Sequence, residues 1–293
     1  MVVPFDPGGG SDLFGRAVAA GLEEVRPDLN ISTENRPGGS GTIGYTYFYE
    51  QSGDPHFLLG AENAMVSLPL QHEELPYDAT SWTPLGMVVE DTIFLIGSAD
   101  AGWQDFEGFL AAAREADSAG DPLAIAQPTA ESVEAMPLQT VLEKEGITVE
   151  FVTFDGTAGS IPALLAGDID GILANPSEVE GQVEAGDFAP VVANTKNSLE
   201  IEPYQGIPSL ADLGYEPRGA FSQFRGVLAP PDIPDCAQQY WTEALKEWTE
   251  TEAYQEYVES NVVAPNQIWG DEWLTYLDDV EKGYQEVYET TGG

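Results

Sequence analysis

Two glycine-rich segments carry the residue types best suited to chemistry in this chain: Pro7-Gly8-Gly9-Gly10-Ser11-Asp12 and Asn35-Arg36-Pro37-Gly38-Gly39-Ser40-Gly41-Thr42. Each follows a strand-like stretch and opens a helical pattern. A helix N-terminus presents unpaired backbone N–H groups and the positive end of its dipole, so it attracts anions without a cationic side chain. Glycine lets the backbone adopt positive φ angles and approach a ligand closely. Two such turns, one opening at Pro7 and the other at Asn35, predict a pocket for a small anion built largely from main chain. Asp12 reads as a helix cap, Arg36 as a turn brace and Arg225 as half of an ion pair at a crossover.

Enzymatic chemistry has little to stand on. The two histidines, His56 and His72, lie in no HExxH or triad-like setting, and neither GxxxxGK[ST] nor GxGxxG occurs. With 51 acidic residues, nothing singles out a catalytic carboxylate pair. Cys236 is the one cysteine, which excludes an intrachain disulfide, a zinc cluster and a CxxC redox pair; it reads as a small buried hydrophobe. No metal and no cofactor is expected.

The elements that must position the two turns follow from periodicity. Val2–Phe5 reads as a strand, and Phe14, Ala17, Val18, Gly21, Leu22 and Val25 recur at helical spacing, capped by Ser11 or Asp12. Leu29–Thr33 reads as a second strand, Thr42–Gln51 as a helix, and Phe57–Gly60 as a buried strand ending at Glu62-Asn63. This β-α-β-α-β rhythm predicts a parallel sheet whose ligands sit beyond the strands' carboxyl ends. A loop and the apolar run Ile93–Ile96 follow. A second βα series then continues to about residue 193. From Phe224 the rhythm changes to a strand, Gly226–Ala229, and then mainly helix. Stripes of Trp241, Leu245 and Trp248, and of Trp273, Leu277 and Val280, read as core. The organisation expected is a first lobe over 1–97, a second over 98–222, and a return to the first over 223–293.

Composition narrows the setting. Against 51 Asp and Glu stand 10 Lys and Arg, a formal charge of −41 over 293 residues. Such a chain is a poor partner for nucleic acid or anionic lipid. At 42% hydrophobic and 10% aromatic it is too apolar to be a disordered acidic chain. Acidity spread along the sequence, with only four lysines, points to a haloarchaeal or other salt-adapted protein. No run approaches a membrane span. Met1 leads at once into strand-like Val2-Val3-Pro4-Phe5, so the chain reads as a truncated start or one from which a leader or lipid anchor was removed, and the N-terminus does not give its localisation.

Several segments, taken together and in order, closely resemble the substrate receptors of tripartite tricarboxylate transporters, the Bug receptors. They are Val3-Pro4-Phe5, Gly8–Asp12, Arg16, Glu34–Gly38, Gly41–Gly44, Leu58–Gly60, Leu75–Asp78, Trp82–Gly86, Pro162–Asp170 and Gly226–Pro230. The resemblance spans essentially the whole chain. It implies a two-lobed α/β periplasmic-binding-protein (Venus flytrap) fold with two crossovers and a helical C-terminal segment. It also implies a monomeric extracytoplasmic receptor, held at the outer face of the membrane. Such a receptor closes on a small organic acid (a di- or tricarboxylate, hydroxy acid or amino acid) and hands it to integral-membrane subunits. A receptor of the same fold feeding a sensor is the alternative.

By position, the resemblance implies a first-lobe site with Phe5 as a wall. Gly10, Ser11 and Asp12 would form its first loop, Ser40 and Thr42 its second, and Glu62 and Asn63 would lie at the third strand end. In the second lobe it implies the turn at Gln127-Pro128-Thr129 with Ser132, the turn Phe154-Asp155-Gly156-Thr157, and Asn175. Thr129, Ser132 and Met136 stand where the family has a glycine-serine and histidine pattern, and Asp155 where it often has lysine. Glu62 would repel an anion and suits an amino or hydroxyl group, which favours an amino acid or hydroxy acid.

Overall fold

A computed structural model describes residues 1–127, 135–154, 157–194, 198, 201–216 and 223–291. Two compact units divide the chain: Met1–Glu90 with Phe224–Gly293, and Asp91–Gln223. In chain order the first opens with β1 (Val2–Val3), α1 (Gly10–Val25), β2 (Glu34–Asn35), a 3-10 turn at Gly39–Gly41, α2 (Thr42–Tyr49), β3 (Leu59–Ala61), α3 (Ala64–Gln71) and β4 (Thr83–Asp91). The second holds β5 (Phe94–Ser98), α4 (Phe106–Ala119), β6 (Ala124–Gln127), α5 (Met136–Glu145), β7 (Glu150–Thr153), α6 (Thr157–Ala166), β8 (Gly171–Ala174), α7 (Pro176–Ala185) and β9 (Phe188–Ala193). The chain then adds β10 (Gln223–Ala229), α8 (Asp235–Trp248), α9 (Glu252–Asn261), β11 (Ala264–Trp269) and α10 (Asp271–Thr291) to the first unit.

The first unit's sheet runs β11-β4-β10-β3-β1-β2. Its parallel part is β2-β1-β3, with Val2 opposite Glu34 and Leu59, while β10 lies antiparallel to β3. The glycine turns and Glu62 therefore lie at the carboxyl ends of β1, β2 and β3, the edge where parallel sheets receive ligands. The second unit's sheet runs β7-β6-β8-β5-β9, and the apolar run Ile93–Ile96, grouped by sequence order with the first lobe, supplies β5 to it.

Several expectations shift. The strand read over Val2–Phe5 stops at Val3, because Pro4 has no N–H to continue the ladder. The strand read over Leu29–Thr33 falls instead at Glu34–Asn35. Ile31 gives its N–H to Glu23 Oε1 at 2.5 Å, and pairing with β1 starts only where Glu34 N–H reaches Met1 O at 2.8 Å. Residues 83–91, read as loop, form a nine-residue strand in which seven residues are buried. Cys236, expected to be buried, is exposed. It sits in the first turn of α8, off the inner stripe of Trp241, Ala244, Leu245 and Trp248.

The tryptophan stripes are core. Trp241, Leu245 and Trp248 join Val3, Phe14, Val18 and Leu22 in one apolar cluster under the first sheet. Trp273, Leu277 and Val280 of α10 are buried as well. Glycines set how closely α1 packs: a Cβ on Gly15 would lie 2.6 Å from Val3 Cγ2, and one on Gly21 would lie 2.1 Å from the Trp248 ring. The second unit has its own cluster, including Leu95, Phe109, Ile125, Leu138 and Val192.

Candidate functional site

The first glycine turn differs from a side-chain-capped helix start. Gly9 is the N-cap of α1, and neither Ser11 nor Asp12 caps the helix as expected. Asp12, 3% exposed, folds back within the first turn. Its carboxylate accepts from Gly8 N–H (2.9 Å), Arg16 Nε (2.9 Å) and Asn35 Nδ2 (2.9 Å). Asn35 Nδ2 also donates to Phe5 O at 3.0 Å. One carboxylate thus ties the first turn to the start of the second. Burial alone would raise the Asp12 carboxyl, but hydrogen bonds from Arg16, Asn35 and Gly8 outweigh it and hold the group below its ordinary value.

The second turn is a chain of left-handed residues: Gly38 (φ 124°), Gly39 (58°), Ser40 (53°) and Gly41 (101°). Ser40 is exposed, and Thr42 begins α2 half-buried. Gly41 is required twice over, by its φ and by space. A Cβ there would lie 2.8 Å from Tyr45 Cε2 and 3.1 Å from Phe5 Cζ. Phe5 and Tyr45 meet edge to face with centroids 6.3 Å apart. The Phe5 ring therefore lies under the second turn, as half of an aromatic pair.

At the sheet edge Ser11 donates its hydroxyl to Glu62 Oε2, and Arg225 Nη1 donates to Ser11 Oγ at 3.1 Å and to Glu62 Oε2 at 3.0 Å. The side chains of Arg225 and Glu62 are 5% and 13% exposed, a largely buried ion pair. Gly10 makes room for it, since a Cβ there would sit 2.7 Å from Arg225 Nη2. Arg225 is on β10, more than 200 residues after Ser11, and no sequence motif ties the two together. Tyr45 lies against the same cluster. Its hydroxyl is buried and has no hydrogen-bond partner among the described residues. Burial, then the charge of Glu62 and the neighbouring Tyr77, push its phenol far above the ordinary range, so it remains a donor.

Asn63, placed by position beside Glu62, turns inward. Its Nδ2 donates to Tyr284 Oη at 2.8 Å and its Oδ1 accepts from Phe224 N–H at 2.9 Å, joining α10 and β10 to the end of β3. The first unit thus brings together Phe5, Gly10, Ser11, Asp12, Thr42 and Glu62. It leaves Ser40 on the outer side of its turn and gives Asn63 a bracing role.

In the second unit Thr129, Ser132, Asp155 and Gly156 lie outside the described residues. Thr157 opens α6, is buried, and donates to Glu178 Oε2 at 2.9 Å. The same carboxylate oxygen accepts from Asn175 N–H at 3.1 Å. Asn175 Nδ2 donates to Asp91 Oδ1 (2.7 Å) and Thr92 O (3.1 Å), so this side chain braces the start of α7 against the β4–β5 connection. Among the described residues, no group of three or more His, Cys, Asp or Glu is arranged to hold a metal ion. None of their helices is long and apolar enough to cross a membrane.

Comparison with known proteins follows the same lines. The family model described as "Tripartite tricarboxylate transporter family receptor" matches residues 15–289. Protein BugT of Bordetella pertussis (strain Tohama I) is 24% identical over 301 residues, covering 99% of this chain and 88% of that protein. Among solved structures, R. palustris Rpa4515 with adipate has a TM-score of 0.84 at 19% identity, covering 99% of this chain and 96% of that one. MatC (Rpa3494) from Rhodopseudomonas palustris with bound malate has a TM-score of 0.79 at 18% identity, covering 98% and 97%. These likenesses show the fold, a two-lobed solute-binding architecture.

Proposed function

The chain belongs to the tripartite tricarboxylate transporter receptor family, and from that premise we propose that it captures a small organic carboxylate at the first unit's glycine turns and delivers it to membrane transporter subunits. One observation carries this reading. The N-terminus of α1 meets a buried arginine and a serine hydroxyl at the carboxyl edge of a parallel sheet, and the Asp12–Asn35 hydrogen bond ties that turn to the one that opens α2. Such a setting supplies donors and positive potential to a carboxylate without a metal. Phe5, Gly10, Ser11, Thr42 and Glu62 are the first-unit contacts proposed, with Asp12 acting through the turn it braces. Thr157 and Asn175 are proposed to shape the second unit's share. The relatives solved with adipate and malate support a carboxylate as the ligand class. Binding without turnover, work as a monomer outside the membrane, and adaptation to high salt complete the reading.

The test is calorimetry and thermal shift against mono-, di- and tricarboxylates and acidic amino acids in about 1 M KCl, where the Debye length is only about 3 Å. At least one carboxylate should bind without being consumed. Ser11→Trp and Thr42→Trp should each lower affinity by at least about 100-fold, roughly 2.7 kcal/mol, while the ligand-free protein still folds and melts cooperatively. A folded protein silent to the whole panel, or full affinity in both variants, would overturn the proposal.

A further inference from the structure

Among the described residues one lysine or arginine is buried, Arg225, in a chain with 51 acidic and 10 basic residues. Backbone pairing puts it at the first glycine turn. The antiparallel ladder of β10 and β3 sets Gly226 opposite Ala61, so Arg225 and Glu62 follow as neighbours at its end. Asn63 Oδ1 accepts from Phe224 N–H at 2.9 Å and pins the residue before Arg225. From there Arg225 Nη1 donates to Ser11 Oγ at 3.1 Å and to Glu62 Oε2 at 3.0 Å, and a Cβ on Gly10 would lie 2.7 Å from Nη2. The guanidinium thus lies against the first turn of α1.

A cation in that place is costly by itself. The start of a helix already carries about half a positive elementary charge and repels a guanidinium. Desolvating an ion pair costs about as much as its attraction returns, so the pair is poor evidence of a gain in stability. What it does change is the potential at the turn. Ser11 donates its hydroxyl to Glu62 Oε2, which holds a carboxylate one side chain away from the same helix start. Alone, that full negative charge would outweigh the helix-end potential and repel an incoming anion. Arg225, paired with the same oxygen, cancels it and leaves the helix end positive.

Resting on the reading that a carboxylate binds at this turn, we propose that Arg225 is a positioning residue for anion capture: it neutralises Glu62, so that the N-terminus of α1 presents positive potential to the ligand. The role needs no contact between the ligand and either side chain, because charge acts beyond contact distance in a largely buried setting. It follows that the two halves of the pair act on affinity with opposite sign. On stability they act with the same sign, since either loss strips a largely buried charge of this partner.

The test is calorimetry with acetate, succinate, malate, adipate, citrate and glutamate at about pH 8, where a carboxyl deprived of its cation stays ionised. Each acid that binds the parent is then titrated into Arg225→Gln, Glu62→Gln, the double variant and Arg225→Lys. Arg225→Gln should weaken binding at least about tenfold, and Glu62→Gln should strengthen it about threefold or more. The double variant, neutral like the pair, should stay within about tenfold of the parent, as should Arg225→Lys, which keeps the charge without the fork. Urea melts should show both single variants less stable than the parent. A purely structural pair would weaken binding in both single variants. That result, or a loss of about 100-fold in the double variant or in Arg225→Lys, would overturn the inference while leaving the receptor reading intact. Should a single variant fail to fold, the double variant and Arg225→Lys decide by the same limits. Silence of the folded parent toward every acid would overturn both.

Discussion

Asp12 shows how one side chain can serve a site without facing it. Its carboxylate gathers an amide N–H from the first turn, an amide side chain from the second and a guanidinium from α1. Asp12→Ala would take the shared acceptor from Gly8 and Arg16, both exposed, and from half-buried Asn35, at a cost of about 1–2 kcal/mol. It should also loosen the register of the two turns, so carboxylate affinity is expected to fall together with denaturant midpoint. Retention of both would remove Asp12 from its bracing role. The sign of the acid dependence follows from its lowered pKa. The carboxylate's contribution to stability is complete above its ordinary value of 3.8 and is lost as pH falls through the lower folded value. The stability lost between pH 5 and pH 2 should therefore be smaller in Asp12→Asn than in the parent, measured by urea melts across that range.

At the scale of elements, α1 positions the site because it packs without spacing on two sides. Gly15 brings it onto β1 and Gly21 onto α8, where a Cβ would lie 2.1 Å from the Trp248 indole, itself 1% exposed. Gly21→Ala gains helix propensity of up to about 1 kcal/mol, yet overpacking of this kind costs about 1–3 kcal/mol. The clash is with the body of a rigid, buried ring, not with the end of a flexible chain, so the steric cost should win. Thermal denaturation should show net destabilisation, whereas a more stable Gly21→Ala would mean that α8 shifts freely. The second helix is positioned differently. Its start depends on three left-handed glycines and a left-handed serine, with Gly41 over the Phe5–Tyr45 pair.

For the whole molecule the dominant quantity is charge. With 51 acidic and 10 basic residues, self-repulsion acts across the chain at low ionic strength. Raising salt from about 0.1 M to 1 M shortens the Debye length from about 10 Å to about 3 Å. On the proposal of salt adaptation, the melting temperature should rise by more than about 5 °C between those conditions, equivalent to about 1–2 kcal/mol. A flat profile in KCl would count against it. The proposed anion site is expected to be less sensitive, because its ion pair is largely buried and helix-end potential acts at contact distance.

Residue types and spacing in the chain by themselves determined the two glycine turns, the parallel β-α-β-α-β opening, the tryptophan stripes and the family resemblance. Each is a local pattern, or an ordered set of local patterns, whose physics acts over a few residues. They could not supply the partner of Ser11, since Arg225 reaches it from β10 only after the chain has built a second unit and returned. Nor could they show that Asn63 braces β10 and α10, that Asp12 bridges two turns instead of capping a helix, or that Cys236 is exposed. Those outcomes depend on which distant groups compete for a donor, an acceptor or a place in the core. Tertiary packing settles that competition: a buried polar group takes whichever partner the fold brings within reach.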